Sequence, residues 1–319
     1  MMDTLTDVPG LQVGHAQVAG GGSGSTVVMG PFRGAVEVRG MATGTRELET
    51  LDPVHIVPRV DAVLLTGGSA WGLDAAGGVM ERLEEEGRGF PTAPGTAVPI
   101  VPAAVIYDLE EGRPRPDRTT GRRAAESATG GPVSQGRVGA GAGATVGKLF
   151  GPGRASPGGV GSAALQAGDH PVGALAVVNA FGDVRKPGGL IAAGARRDDG
   201  SFADSATVLR TAEGAPGRQW PAAEGTNTTL AVVATDAPLS RTDLQRVARV
   251  AATGVPRRVD PAHTPFDGDI VFALSTAGDE APLPPDQVLA LGSTARDALE
   301  EAILRGVESG GPADGGRRA

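Results

Sequence analysis

The run Gly225-Thr226-Asn227-Thr228-Thr229 places two consecutive hydroxyls directly before the unbroken apolar segment Leu230-Ala231-Val232-Val233-Ala234. The chain contains no cysteine and four histidines, His15, His55, His170 and His263. Thiol nucleophiles, disulfides and cysteine-ligated zinc are therefore excluded. None of the histidines stands beside a nucleophile-like turn, so a Ser-His-Asp arrangement finds no place. Nucleophilic catalysis without either residue has a known solution, a threonine hydroxyl activated by its own α-amine. That amine titrates at about 7.7–8.0 when unperturbed, close to neutrality. It exists only if the chain is cut immediately before Thr228. The competing reading of the same residues is an Asn-Thr turn that leads into a core strand.

Other polar residues stand at the ends of expected strands, where side chains converge without spoiling a core: Tyr107, Asn179 and the pair Asp267 and Asp269. Lys148 closes the small-residue run Gly139-Ala140-Gly141-Ala142-Gly143-Ala144-Thr145-Val146-Gly147 and is one of two lysines, with Lys186, among 29 basic residues. Each also has a plain reading: a tyrosine capping the core with its hydroxyl in water, an asparagine turn, an Asp-Gly turn, a solvated lysine. The glycine-rich run is no phosphate loop, because Ala142 replaces its first glycine and Leu149 the Ser/Thr that would hold magnesium. Gly67-Gly68-Ser69 is no nucleophile elbow, because Trp71 stands where that motif needs glycine. It does open a helix, whose first N–H groups could bind an anion or a substrate carbonyl. Gly67, Gly68, Ser69 and Trp71 are therefore candidate substrate-binding residues. No two histidines lie at i, i+4, and neither a metal nor a cofactor is expected.

These residues require strands and helices to carry them. Alternating or continuous apolar runs predict strands at 25–29, 35–39, 61–66, 102–108 and 270–274, and a hairpin of 162–166 with 172–179. Helices are expected from the Gly67 turn to about residue 86, at 120–128, after the capping pair Ser240 and Asp243, and at 284–307. Gly254 is expected to end the third of these as a C′ residue. Residues 186–225 show little periodicity, and 309–319 read as a disordered tail. The pattern is that of one α/β domain of stacked layers.

Composition bounds the function. With 319 residues, 40% hydrophobic, the chain can bury a large core, while 51 glycines and 25 prolines predict many turns and close backbone contacts. Aromatics are 3%, so the core must be built from Val, Ala, Leu and Gly. A net charge of -8 and a pI near 5.1 argue against nucleic-acid binding. No run approaches the ~20 apolar residues that span a bilayer, and residues 1–10 lack the pattern of a secretory signal. A cytoplasmic protein is expected.

Four segments carry a resemblance: Leu5-Thr6-Asp7-Val8-Pro9-Gly10-Leu11-Gln12-Val13-Gly14-His15, Thr66-Gly67-Gly68-Ser69-Ala70-Trp71-Gly72-Leu73-Asp74-Ala75-Ala76-Gly77-Gly78, Val101-Pro102-Ala103-Ala104-Val105-Ile106-Tyr107-Asp108 and Asn227-Thr228-Thr229. In this order they resemble the DmpA-like peptidase family, which includes L-aminopeptidase/D-esterases, β-peptidyl aminopeptidases and the endo-type nylon-oligomer hydrolase. The resemblance implies a four-layer αββα sandwich of the N-terminal-nucleophile kind. It implies self-cleavage between Asn227 and Thr228 into subunits 1–227 and 228–319 that stay together, assembled as a tetramer. Thr228 would be the nucleophile for that cut and then for catalysis. Tyr107 and Asn179 would line the site, Lys148 would lie near the nucleophile, and Asp267 and Asp269 would orient it. The Asn-Thr-Thr form and the two aspartates are similar to the nylon-oligomer enzyme. The expected substrate is a small peptide or a linear oligoamide such as a 6-aminohexanoate oligomer. Alternatives are an aminopeptidase restricted to substrates with a free amine (L-, D- or β-aminoacyl), an acyltransferase of the ornithine acetyltransferase type, and an unprocessed binding protein.

Overall fold

The structure is a computed structural model that describes residues 2–211 and 227–309. Its principal strands are β1 Gln12–Gln17, β2 Gly24–Val38, β3 Val60–Thr66, β4 Ala103–Val105, β5 Gly159–Ala167, β6 His170–Asn179, β7 Thr228–Thr235 and β8 Ile270–Ser275. Its principal helices are α1 Ala75–Glu85, α2 Arg118–Glu126, α3 Arg241–Ala252 and α4 Pro285–Glu308.

The two strands expected at 25–29 and 35–39 are one. The first half of β2 pairs with β1 and β3, and the second half pairs with β8. Register with β3 breaks between Met29 and Phe32. Pro31 has no N–H to contribute to a ladder, so the chain leaves one sheet there and enters the other. The first sheet runs β1-β2-β3-β4, with the short strand Thr45–Arg46 beyond β4; the second runs β5-β6-β7-β8-β2. Sharing β2 makes the nine strands one hydrogen-bonded sheet, with β1 branching from β2.

Alternation along β7 shows how the sheets stack. Leu230, Val232 and Ala234 enter a core with Val28, Val63 and Leu65 of the first sheet. Ala231 and Val233 face the other way, against Leu244 and Val247 of α3 and Leu299 and Ile303 of α4. On the far side of the first sheet, Val27, Met29, Ala62 and Leu64 pack with Val79 and Leu83 of α1 and Ala124 of α2. The layers are helix, sheet, sheet, helix, the four-layer αββα sandwich expected. β7 is covered on both faces, which is why it is apolar without alternation; each fully buried Leu or Val contributes roughly 1.5–3 kcal/mol.

The hairpin of β5 and β6 forms as expected, and Ser240 caps α3 by accepting the Asp243 N–H at 3.1 Å. The expected long helix after Gly67 is a 3₁₀ segment, Ser69–Asp74, followed by α1, and the strand at 102–108 shortens to β4. Gly254 does not terminate α3 in a left-handed conformation; it begins the next short helix, Gly254–Arg258. Its lack of a side chain serves packing, since a β-carbon there would lie 2.9 Å from the Arg296 carbonyl oxygen of α4. Within 186–225 the described part contains the strand Ile191–Ala193 and the helix Ser205–Arg210, while 212–226 lie outside the described residues. Ser309 closes α4, and the remainder of the expected tail, 310–319, also lies outside them. No helix among the described residues is long and apolar enough to cross a membrane.

Candidate active site

Strand register brings the start of β7, the end of β6 and the approach to β8 together. Thr228 stands opposite Asn179 in the β6–β7 ladder. Asn227 forms a parallel bridge with Asp267, and its carbonyl oxygen accepts the Gly268 N–H at 2.9 Å. The Thr228 hydroxyl is buried and donates to the Asn227 carbonyl oxygen, so it lies against the peptide group expected to be cut. Gly225 and Thr226 lie outside the described residues.

Asn179 links the nucleophile candidate to Lys148. Its Oδ1 accepts the Lys148 ammonium at 2.8 Å and the Thr145 N–H at 3.0 Å, and its backbone oxygen accepts Lys148 Nζ at 3.1 Å. Its Nδ2 donates to the Tyr107 carbonyl oxygen at 3.2 Å. Lys148 is therefore not solvated at the end of its glycine-rich run: Gly147 adopts φ 72, and the Lys148 backbone N–H bonds to Phe181 O at 3.0 Å, turning the side chain inward. Burial pulls the Lys148 ammonium down to about 7 from its ordinary 10.5, against the opposing fields of Asp267 and Asp108.

The two aspartates are buried but differently engaged. Asp267 Oδ2 accepts the Thr264 N–H at 2.9 Å and hydroxyl at 2.5 Å, and Oδ1 accepts the Phe181 N–H at 3.3 Å. Burial, and then the neighbouring Asp269 charge, raise its carboxyl above the usual range. Asp269 Oδ1 accepts the Thr229 N–H at 2.6 Å. The backbone N–H groups of Arg39, Gly40, Met41 and Ala42 clasp the Asp267 and Asp269 carbonyl oxygens at 2.8–3.0 Å.

Tyr107 stands where two clefts meet. One, of ≈ 440 Å³, is lined by Tyr107, Asp108, Thr145 and Lys148 among others. The other, of ≈ 660 Å³, is lined by Trp71, Tyr107, Arg113 and Arg115 among others. Trp71 is largely exposed, with the Arg115 guanidinium 4.5 Å from its ring centre, a cation–π contact. The N–H groups of Gly67, Gly68 and Ser69 bond within the fold, to Gly24 O at 2.9 Å, Asp108 Oδ1 at 2.7 Å and Ile106 O at 3.0 Å. Of the four candidate substrate-binding residues, the structure thus brings Trp71 to a cleft and puts the three amides to structural use.

Sequence reasoning missed several residues that shape this site. Asp108 anchors the Gly68 turn beside the Lys148 cleft, its carboxyl raised by burial. Thr264 and His263 hold Asp267 and Asp269. Only the proximity of His263 to Asp269 along the chain could have hinted at this. Among the described residues no group of three His, Asp or Glu could hold a metal ion. Gly268 is needed for another reason: a β-carbon there would lie 2.8 Å from Thr228 Oγ1 and 2.7 Å from Ala42 O. Gly268→Ala is expected to cost about 1–3 kcal/mol of stability, as overpacking does, and to displace the Thr228 hydroxyl. Thermal melts and activity of the variant check both effects.

Solved structures share this architecture. An L-aminopeptidase D-Ala-esterase/amidase from Ochrobactrum anthropi, described as a new variant among the Ntn hydrolase fold, superposes with a TM-score of 0.69 at 21% identity, over 95% of this chain and 85% of that one. A Burkholderia sp. β-aminopeptidase gives 0.66 at 24% identity, over 96% and 86%. Among curated proteins, an uncharacterized aminopeptidase of Mycobacterium tuberculosis is 44% identical over 98% of this chain and 96% of its own. A 6-aminohexanoate-oligomer endohydrolase of Agromyces sp. is 32% identical over 93% and 84%. These similarities define a hydrolase of peptide or amide bonds, built on the αββα sandwich that the solved structures share. The chain belongs to peptidase family S58, whose profile matches residues 3–318. The resemblance to DmpA-like peptidases is thereby borne out.

Proposed function

We propose that the chain cuts itself between Asn227 and Thr228 and that Thr228 then hydrolyses amide bonds through an acyl-enzyme. The observation that carries this reading is the Thr228 hydroxyl against the Asn227 carbonyl, with Lys148 buried one residue away across Asn179. In the first step Thr228 Oγ attacks the Asn227 carbonyl carbon and the Thr228 nitrogen leaves as an amine. Water then hydrolyses the ester, which frees the Asn227 carboxylate and the Thr228 hydroxyl. Before the cut, the Thr228 nitrogen is an amide and cannot accept a proton. The base for self-cleavage is therefore Lys148, half of it neutral near pH 7 at a value of about 7. After the cut, the Thr228 α-amine is a second group able to take the hydroxyl proton from an attacking Thr228.

In catalysis Thr228 Oγ attacks a substrate carbonyl, the amine product leaves, and water releases the acyl group. An N–H of Asn179 Nδ2 donates to the developing oxyanion, and Tyr107 borders the substrate. Asn179→Ala is expected to lower kcat by ~10²–10³, as loss of one oxyanion donor does; steady-state kinetics of the processed fraction checks this. Asp269 orients the start of β7 through the Thr229 N–H, and Asp267 favours the charged form of Lys148.

The substrate on this reading is a peptide or a short linear polyamide bound along the clefts at Trp71 and Tyr107. The reading includes processed subunits 1–227 and 228–319 that remain associated as a cytoplasmic tetramer, which light scattering of the purified protein tests. Aminoacyl and β-aminoacyl p-nitroanilides assayed beside 6-aminohexanoate oligomers test the substrate. Cleavage of internal oligomer bonds supports the polyamide reading, and activity confined to substrates with a free amine replaces it with an aminopeptidase.

A further inference from the structure

The loop before β8 holds both aspartates with consecutive residues. Thr264 supplies its N–H and hydroxyl to Asp267. His263 supplies its N–H and its ring Nδ1 to Asp269 Oδ2, at 3.2 and 2.8 Å. With a carboxylate accepting, Nδ1 is the protonated ring nitrogen. The other oxygen of Asp269 takes the Thr229 N–H at 2.6 Å, on the residue after Thr228. A chain of two short bonds thus runs from the His263 ring to the backbone that carries Thr228.

The backbone at His263 sharpens the point. Its φ of 55 is left-handed, a conformation in which most side chains cost energy and glycine is the default. The Asp269 side chain is 4% exposed and the His263 side chain 24%, so the carboxylate is buried beneath a partly exposed ring. Bonds from a ring N–H to a buried carboxylate are short and directional, and they stop the carboxylate from rotating.

We infer that His263 is a positioning residue: it fixes Asp269 so that Asp269 pins the Thr229 N–H and holds the Thr228 hydroxyl on its target. This inference rests on the reading of Thr228 as nucleophile. A purely structural role would be to supply the left-handed turn, and glycine would serve that role equally well.

Three substitutions separate the roles. H263G keeps the turn and removes the ring. H263N keeps the turn, since asparagine tolerates left-handed φ, and puts its Nδ2 donor on the atom position of the histidine Nδ1. H263D has the same shape but offers Asp269 no donor in its ionised form. Self-cleavage rate, and kcat and KM per processed protomer, are measured for each, with thermal melts beside them. H263G and H263D are expected to lose about 10²-fold in kcat, the scale of a ~1 Å misplacement, with KM within about twofold and self-cleavage slowed in parallel. H263N is expected to stay within about fivefold of the parent. A fully active H263G overturns the proposal, and so does an H263N that fails together with H263D, a comparison that stands even if H263G does not fold. Thr228→Ala measured alongside distinguishes the two levels. If Thr228→Ala still hydrolyses substrate, the nucleophile reading itself falls; if it is inactive while H263G is fully active, only the role of His263 falls.

Discussion

Thr228→Ala is expected to run as one uncut chain on a denaturing gel and to lose hydrolysis by roughly 10⁴- to 10⁶-fold, the scale seen when a hydrolase loses its nucleophile. The reasoning is local. The residue is buried at the head of β7, and its hydroxyl donates one bond, to the Asn227 carbonyl oxygen. Losing that bond costs about 1 kcal/mol, too little to unfold a domain whose layers are packed along the rest of β7. A folded but silent variant therefore reports lost chemistry and not lost structure. Thr228→Ser keeps a hydroxyl on the same carbon and is expected to retain both cleavage and hydrolysis. If Thr228→Ala still yields fragments, the cut lies elsewhere.

The second large effect is expected at Lys148. Lys148→Met removes the base for self-cleavage and should slow it by about 10²- to 10⁴-fold, the usual worth of a positioned proton acceptor. Lys148→Arg should fare no better, since arginine stays protonated. In the parent protein the self-cleavage rate should rise as pH climbs through about 7 and level off above it, following the neutral amine. Stability should respond in the same direction. The folded value of about 7 lies below the ordinary 10.5, so between these limits the unfolded chain holds a proton that the folded chain has released. Stability then rises with pH across this window, by up to about 1.4 kcal/mol per unit. Below pH 7 the full cost of the buried ammonium is present. Denaturant titrations at pH 6, 7.5 and 9 on the uncut Thr228→Ala chain check the slope, which adding Lys148→Met should flatten.

Much of the frame was legible because its signals are local. The hairpin of β5 and β6, the capped start of α3 and the long α4 follow from periodicity and turn chemistry within a few residues. Asn179, Thr228 and Asp267 were visible as polar residues at strand ends, and strand register brings them together. Other features depend on what arrives from far along the chain. The apolar runs at 25–29 and 35–39 read as two strands, but β8, over 200 residues later, pairs with the second half and keeps β2 whole. The glycine-rich run gave no sign that Lys148 is buried, because Asn179 and Phe181, which draw it in, belong to another strand and its following turn. His263 left only a faint signal, because its partner Asp269 sits six residues on, past a turn, in no pattern that a helix or strand period reveals. The amides at Gly67, Gly68 and Ser69 show the reverse error. A helix start suggests free donors, but here Asp108 and the strand edges take them.

On the proposed mechanism, Thr228 is a new N-terminus in the active protein. Intact-mass spectrometry and N-terminal sequencing of purified, active wild-type protein under denaturing conditions test it most directly. Two polypeptides are expected, with masses that sum to the whole chain plus one water, the smaller beginning Thr228-Thr229-Leu230. A single uncut chain with full activity, or a second N-terminus at any other residue, would contradict it.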